Sequence, residues 1–536
     1  LGGLRAPPTP PPLRGPAKPG RSATAPVAAR ALILRGFYQD SVALMRIAEQ
    51  LRAVPGVRET AALMGTPANH ELLAAAGLAT AQSKTATASD LILVVDAEDD
   101  AAADTAFATA RRSFEERQRA REATGRVMPR TLESALRHLP DANLAMISVP
   151  GEHAKLEALT ALKRGLHVFL FSDNVSVADE VELKRFAVAH QLLCMGPDCG
   201  TAYINGIGLG FANVVPAGRI GCVAASGTGL QAVVSHVAAL GEGVSHGLGV
   251  GGRDLSAEVG SAMTTLALEA LDRDHATEAI VIVSKPPAPT VLPTLHAAIE
   301  AVRKPVIVCC LGAAIDAGAP GLWTSTLEDA AEAAVAVVRR SPSRPRVFSD
   351  PAHVRAALTE TKARGSLLAL YTGGTLAHEA RVVLEPLLGP IAGNVGPTSA
   401  SRHRILDLGA DEFTRGTPHP MINPAARDLR VREAGRNRDV GVVLLDLVLG
   451  RAAHPDPGGS LAAAIRAARH AAERDGRTLH AVASIVGTEY DPQGLAAQIG
   501  ALEAAGTVLL PSNAQAARFA ALALEPALAE TLLGAI

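Results

Sequence analysis

The stretch IGCVAASGTGLQAVVSHVAALG, residues 220–241, decides the fold. Ile220–Ala225 is a short apolar run of the kind that fills a buried parallel strand. Ser226-Gly227-Thr228-Gly229 follows, and then LQAVVSHVAALG has helical apolar spacing. Strand, Gly-rich turn and helix together aim free backbone N–H groups and a positive dipole end at an anion. Ser226 and Thr228 add hydroxyl donors. The next strand, Val244–Val250, runs into Gly251-Gly252-Arg253-Asp254. Glycines and a guanidinium therefore stand at the carboxyl edge of the same sheet, where open α/β sheets bind ligands. The turn is not a Walker A loop, since no Gly-Lys-Ser/Thr follows, and it does not fit G-x-G-x-x-G. Taken alone, it suits tight turning as well as phosphate binding.

A second copy raises the weight of the first. Leu367–Tyr371 reads as a strand, Thr372-Gly373-Gly374-Thr375 as its turn and Leu376–Leu388 as its helix. Strands at His403–Leu408, Val440–Val448, His480–Val486 and Thr507–Leu510 follow, with a helix at Leu461–Arg474. The shared order of strand, Gly-turn, helix, strand, Gly reads as an internal duplication of architecture. Between the copies, strand Ala279–Val283 ends in Ser284-Lys285-Pro286, which sets an ammonium at a strand's carboxyl end. Phe413–Ile422 carries Arg415 and His419 among turn residues.

Upstream, strands at Asn143–Val149, His167–Phe171 and Leu192–Met195 alternate with helices at Glu152–Arg164 and Val177–His190. That alternation implies a parallel, doubly wound sheet. Its strand ends carry Ser172-Asp173-Asn174 and Gly196-Pro197-Asp198, either lining one cleft or serving as ordinary turn chemistry. Earlier still, residues 30–129 read as a small α/β domain with a linker. Its acidic run Asp96, Glu98, Asp99, Asp100 suits a solvated helix start better than a metal site. Residues 1–29, rich in Pro, Ala, Gly and Arg, read as a disordered leader. The divisions expected are 1–29, 30–129, 130–216, 217–345 and 346–536.

Composition excludes several classes of function. The net charge of −2 offers no basic field for nucleic acid, and aromatics at 3% are too few for base-stacking platforms. Five cysteines form no C-x-x-C pair, so buried free thiols in a reducing, cytoplasmic setting are expected. No apolar run reaches the length of a membrane span.

Several motifs resemble the FdrA proteins. They are FSDNVSVADE (171–180), MGPDCGTAYING (195–206), ASGTGLQ (225–231), GVGGRDLS (249–256), VSKPPAP (283–289), LYTGGTLAHEA (370–380), GTPHPMINP (416–424) and VGTEYDP (486–492). The likeness covers nearly everything after residue 30. FdrA proteins in turn resemble succinyl-CoA synthetase, which implies an α/β fold of several Rossmann- and flavodoxin-like parallel-sheet domains. Residues 130–216 are similar to its CoA-binding domain, 217–345 to the α-type ligase domain and 346–536 to the carboxyl-terminal domain of its β subunit. In that enzyme two helices aim their N-termini at a phosphohistidine. Here Ser226–Gly229 and Thr372–Thr375 correspond to those helix starts. The matching loop, 313–326, has no histidine, and no ATP-grasp domain fits in the chain.

The resemblance implies carbamoyl transfer in purine breakdown, between carbamoyl phosphate and oxamate or a related ureido or amide compound. It also implies partner subunits in a hetero-oligomeric complex; a homo-oligomer stays open. On this reading Ser226, Gly227, Thr228, Gly229, Gly251, Gly252, Gly373, Gly374 and Thr375 bind phosphate. Arg253, Lys285, Arg415 and His419 are the catalytic candidates, while Ser172, Asp173, Asn174, Asp198 and Glu489 line the substrate, with no metal. Asp254 reads as an N-cap or a partner of Arg253, and His378 as a weaker candidate. The alternatives are an acyl-CoA ligase component that binds CoA in 130–216, and a non-catalytic scaffold.

Overall fold

The computed structural model describes residues 29–37, 39, 41–123, 129–314, 318–343, 345–361, 363–396, 400–414 and 419–534. The leader expected over 1–29 therefore lies, but for its last residue, outside the described residues. Among those described, no helix is long and apolar enough to cross a membrane. The chain forms two compact units that part near Thr124, with Asp40–Met45 counted in the second.

The amino-terminal unit runs β1 (Arg30–Leu34), α1 (Ser41–Arg52), β2 (Val57–Met64), α2 (Pro67–Ala75), β3 (Leu91–Ala97) and α3 (Asp100–Ala123). Its sheet has the order β1-β3-β2, and both outer strands run antiparallel to β3. Leu91–Val95 are all buried, as a run without alternation requires at a central position. The acidic run is consumed locally. Asp100 and Asp104 pair with Arg30, Asp96 pairs with Arg58, and Asp99 Oδ1 accepts from the Ala102 amide at 2.8 Å.

The second unit opens with α4 (Leu132–His138), capped reciprocally by Thr131 and Ser134. β4 (Leu144–Ile147), α5 (Gly151–Lys163), β5 (His167–Leu170), α6 (Val177–Ala189) and β6 (Cys194–Met195) then build a three-stranded parallel sheet, β4-β5-β6. A hairpin of β7 (Thr201–Ile204) and β8 (Ile207–Gly210) follows. Its turn, Asn205-Gly206, has φ of 50° and 74°, the pair of positive values a tight hairpin turn needs.

That hairpin does not stay with the sheet before it. β7 pairs with β10 (Val244–Gly249), inside a seven-stranded sheet of order β13-β12-β11-β9-β10-β7-β8. The other members are β9 (Ala217–Ala224), α7 (Gly227–Ala239), α8 (Ala262–Arg273), β11 (Ala279–Ser284), α9 (Leu292–Ala301), β12 (Val306–Cys310), β13 (Leu322–Trp323) and α10 (Leu327–Arg339). β9, β10, β11, β12 and β13 are parallel.

The last stretch contains α11 (Pro351–Glu360), β14 (Ser366–Tyr371), α12 (Gly374–Leu388), β15 (Ala392–Gly393), β16 (Arg404–Asp407), α13 (Asp411–Thr414), α14 (Ala425–Ala434) and β17 (Val440–Val448). It closes with α15 (Pro457–Arg474), β18 (His480–Val486), α16 (Leu495–Glu503), β19 (Thr507–Leu510), α17 (Asn513–Leu524) and α18 (Ala529–Leu533). Its six strands are all parallel, in the order β15-β16-β14-β17-β18-β19. The two large sheets share one apolar core. Leu230 and Val233 of α7, Ala330 and Ala334 of α10, Leu376 and Ala380 of α12, and Phe519 and Ala520 of α17 lie in it together. This common core holds the starts of α7 and α12 in place.

Candidate active site

The two Gly-rich corners meet. Ser226 is the N-cap of α7, and its Oγ accepts from the Gly229 amide at 2.9 Å. The same oxygen hydrogen-bonds the hydroxyl of Thr375, in the first turn of α12. Glycine is what allows this approach. A Cβ on Gly229 would fall 2.9 Å from Val283 Cγ1 and 3.0 Å from Thr375 Cγ2. One on Gly373 would fall 3.1 Å from Thr228 Cβ.

Not every amide expected to hold phosphate is available. Gly229 donates to Ser226, as above. The amides of Thr372 and Gly373 both donate to the buried carboxylate of Asp446 at 2.8 Å, and the Thr372 hydroxyl donates to it at 3.0 Å. Gly229 and Gly373 are thus corrected to structural roles, the one by its cap and the other by a resident anion. Within these corners the amides of Gly227, Thr228, Gly374 and Thr375 make no such bond and are left for a ligand.

Asp407, at the end of β16, lies over the start of α12. Its Oδ2 would stand 2.6 Å from a Cβ on Gly374, and its Oδ1 accepts from the Gly409 amide at 2.9 Å. Burial pushes its pKa up to about 6, opposed by the Gly409 bond and the charge of Lys285. Lys285 itself is exposed, and its charge also helps to depress His378. His378 Nε2 meets the Leu311 carbonyl at 3.2 Å.

His419 reaches the same place. Its Nε2 would lie 2.6 Å from a Cβ on Gly409, beside the Thr372 carbonyl, and its ring is 6.0 Å from that of Phe211. Burial pulls its pKa down to about 4, so the ring is neutral at pH 7. Nδ1 accepts from the Met421 amide at 3.2 Å, which assigns the proton to Nε2. Arg415 lies outside the described residues.

The remaining candidates have other partners. Arg253 gives Nε to Glu180 at 2.7 Å and Nη2 to the Val175 carbonyl at 2.9 Å, so its guanidinium is committed to α6 and the loop before it. Asp254 is not its partner. That carboxylate accepts from the amides of Met263 and Thr264 at the start of α8 and pairs with buried Lys184 at 2.8 Å. Gly251 (φ 85°) packs on the 196–197 loop, and Gly252 lies beside Ala225 at the end of β9. Ser172 accepts from the Val149 amide, while Asp173, Asn174 and Asp198 are exposed on neighbouring loops. Glu489 is exposed by Thr488 and Asp491, which bind Val214 and Asn213 instead. Residues 172–174 and 198 thus form a group separate from Glu489.

Sequence reasoning missed Asp407, Asp446 and the Glu180–Lys184–Asp254 network. Asp446 had a signal, being the lone charge in VGVVLLDLV, a strand buried at every position. Glu180 and Lys184 had only an i,i+4 spacing, which surface helices share. All five cysteines are buried and free.

Residues 27–129 match a family model described as AllF, heavy metal-associated domain, and residues 370–523 one described as CoA-ligase. The uncharacterized protein YahF of Escherichia coli (strain K12) is 38% identical over 491 residues, which is 89% of this chain and 95% of YahF. The chain belongs to the FdrA-like family. Among solved structures, this FdrA-like chain overlaps the dinucleotide-forming acetyl-coenzyme A synthetase 1 of Ca. Korarchaeum cryptofilum in complex with phosphate and ADP. Identity there is 16% and TM-score 0.29, over 73% of this chain and 84% of that one. It also overlaps the ATP citrate lyase of Methanothrix soehngenii in complex with citrate and coenzyme A. That match has 17% identity and TM-score 0.34, over 43% of this chain and 46% of the lyase. The family and the CoA-ligase match make the chain acyl-CoA-synthetase-like, with a ligase-type carboxyl-terminal domain.

These matches imply two groups, a heavy metal and coenzyme A. The amino-terminal FdrA-like domain has no cysteine, and among its described residues no three ligand side chains come within reach of one ion. It does not fit a heavy metal. The loops at the edge of β4–β6 would receive CoA. They carry exposed Asp173 and Asp198, and Arg253 and Lys155 are held in ion pairs, the one by Glu180 and the other by Asp179 and Glu182. These loops fit a CoA diphosphate poorly.

Proposed function

We propose that this FdrA-like chain binds an acyl phosphate beside the paired starts of α7 and α12. The reaction that fits best is carbamoyl transfer between carbamoyl phosphate and oxamate or a related amide or ureido compound. The observation that supports this reading is the contact between Ser226 and Thr375, which brings two helix N-termini together, as a shared anion would require. The free amides of Gly227, Thr228, Gly374 and Thr375 hold the phosphate, and exposed Lys285 neutralises it as it leaves. Neutral His419 donates from Nε2 to the carbonyl oxygen. The acceptor nitrogen attacks the carbonyl carbon, the bond from that carbon to the phosphate oxygen breaks, and the acceptor's proton passes to Asp407. Inorganic phosphate is released. No phosphohistidine is needed, in keeping with a loop 313–326 that has none. The partner subunits implied by the family complete the enzyme on this reading.

The test is a carbamoyl-transfer assay with carbamoyl phosphate and oxamate, with and without the products of neighbouring genes. Asp407→Asn should lower kcat by roughly 10²–10⁴-fold, the usual worth of a general base. Unchanged turnover in that variant would remove Asp407 from the chemistry.

The match of residues 370–523 to CoA-ligase favours a second reading, an acyl-CoA ligase component that binds CoA and takes its phosphate from a nucleotide-binding partner. Radiolabelled ATP separates the two. Acid-labile label on this chain supports the ligase, and its absence in a turning-over complex supports acyl phosphate use.

A further inference from the structure

A cavity lies beside the first turns of α12, walled by the middle of α7, the start of α10, Leu376 and Glu379 of α12, the loop after β18 and the start of α17. Ser235, His236, Glu328, Glu379, Ser484 and Ser512 are among its lining residues. Groups facing it lack partners. Ser235 Oγ and Ser484 Oγ, on side chains 5% and 1% exposed, make no hydrogen bond, and neither does the buried Nε2 of His236. Buried polar atoms are nearly always satisfied, so unpartnered ones on one cavity point to an occupant.

Two of the lining residues, His236 and Glu328, also belong to a ligand set. His236 on α7 faces Glu328 and Glu332, one turn apart on α10. One donor atom from each lies within 4.8 Å of the others. Ligands at about 2.0–2.2 Å from an ion sit roughly 3.5 Å apart, so closure takes side-chain rotation of about an ångström. Both oxygens of Glu328 already accept, one from Ser512 Oγ at 2.6 Å and the other from the Gln515 amide group, which leaves each a lone pair for an ion. Supporting bonds of this kind hold carboxylate ligands in place. Glu328, in the first turn of α10, suits the helix dipole, but that accounts neither for Glu332, one turn on, nor for the buried imidazole nitrogen with nothing to bind.

We propose that His236, Glu328 and Glu332 bind a divalent transition-metal ion of the zinc class, with an open position toward the cavity lined by Ser235 and Ser484. One imidazole and two carboxylates form the mixed nitrogen and oxygen set that such ions accept. The ion joins α7 to α10 and, through Ser512 and Gln515, to α17. None of the three ligands belongs to the phosphate corners, although His236 shares α7 with one of them.

Full-length protein, stripped with chelator and dialysed, is titrated with Zn²⁺ by calorimetry. One ion per chain should bind, with a rise in Tm. His236→Asn and Glu332→Gln should each weaken binding at least tenfold and abolish the Tm rise. Absence of binding, or equal binding by both variants with native circular dichroism, would overturn the site. Should either variant misfold, Co²⁺ added to the wild-type chain decides. Intense visible bands of a four- or five-coordinate ion support the site, and the weak spectrum of hydrated Co²⁺ refutes it.

Discussion

Asp446 is the residue on which the site's shape turns. It is fully buried, holds two backbone amides at the start of α12, and lies 3.8 Å from the equally buried Arg427. Removing its carboxylate strands both amides and takes one of the two buried carboxylates from the guanidinium, which keeps Asp428 and the carbonyl of residue 446. Asp446→Ala should cost about 3–5 kcal/mol in chemical denaturation, the range for breaking a buried pair. Asp407 predicts a pH profile. Its carboxylate must be ionised to take a proton, so turnover should fall as pH drops through about 6. Glu379 makes the corresponding statement about stability. Burial raises its folded pKa from 4.5 to about 7, so the folded state holds the extra proton in that window. Stability should therefore fall as pH rises from about 4.5 to about 7, by roughly 3 kcal/mol. Glu379→Gln should flatten that slope in denaturation series across the window. The sequence offered Asp446 as a charge inside a buried strand, but no spacing shows that a distant helix start needs it.

At the scale of elements, the corners were legible because strand, glycines and helix are local patterns. Ser226–Gly229 and Thr372–Thr375 fall at the starts of α7 and α12, as their spacing requires. The hairpin β7–β8 was legible and missed, since Asn205-Gly206 is a strong turn signal. Its destination in the following sheet was not, because strand partners are non-local. Gly229→Ala tests the corner without touching its chemistry. The added Cβ meets Ser226 Oγ at 2.7 Å and Val283 Cγ1 at 2.9 Å, so α7 must shift. A loss of about 1–3 kcal/mol is expected by thermal or denaturant unfolding, typical of overpacking. Ser226→Ala should cost about 1 kcal/mol through the lost cap.

For the whole molecule, alternating elements gave away the parallel sheets, and motif likeness gave the family. Neither showed that the layer of α7, α10, α12 and α17 between the sheets carries both the paired corners and the His236 cluster. Arg253 illustrates the gap. Beside two glycines it reads as a phosphate ligand, yet Glu180, seventy-three positions away, takes its Nε. Tertiary pairing of that kind leaves no mark on either local motif.

The most direct test is a crystal structure grown with a hydrolysis-resistant phosphonate analogue of carbamoyl phosphate. The account predicts its phosphonate within hydrogen-bond reach of the amides of Gly227, Thr228, Gly374 and Thr375, with Lys285 turned toward it. An analogue bound at the 172–198 loops instead, with the paired helix starts empty, would contradict it.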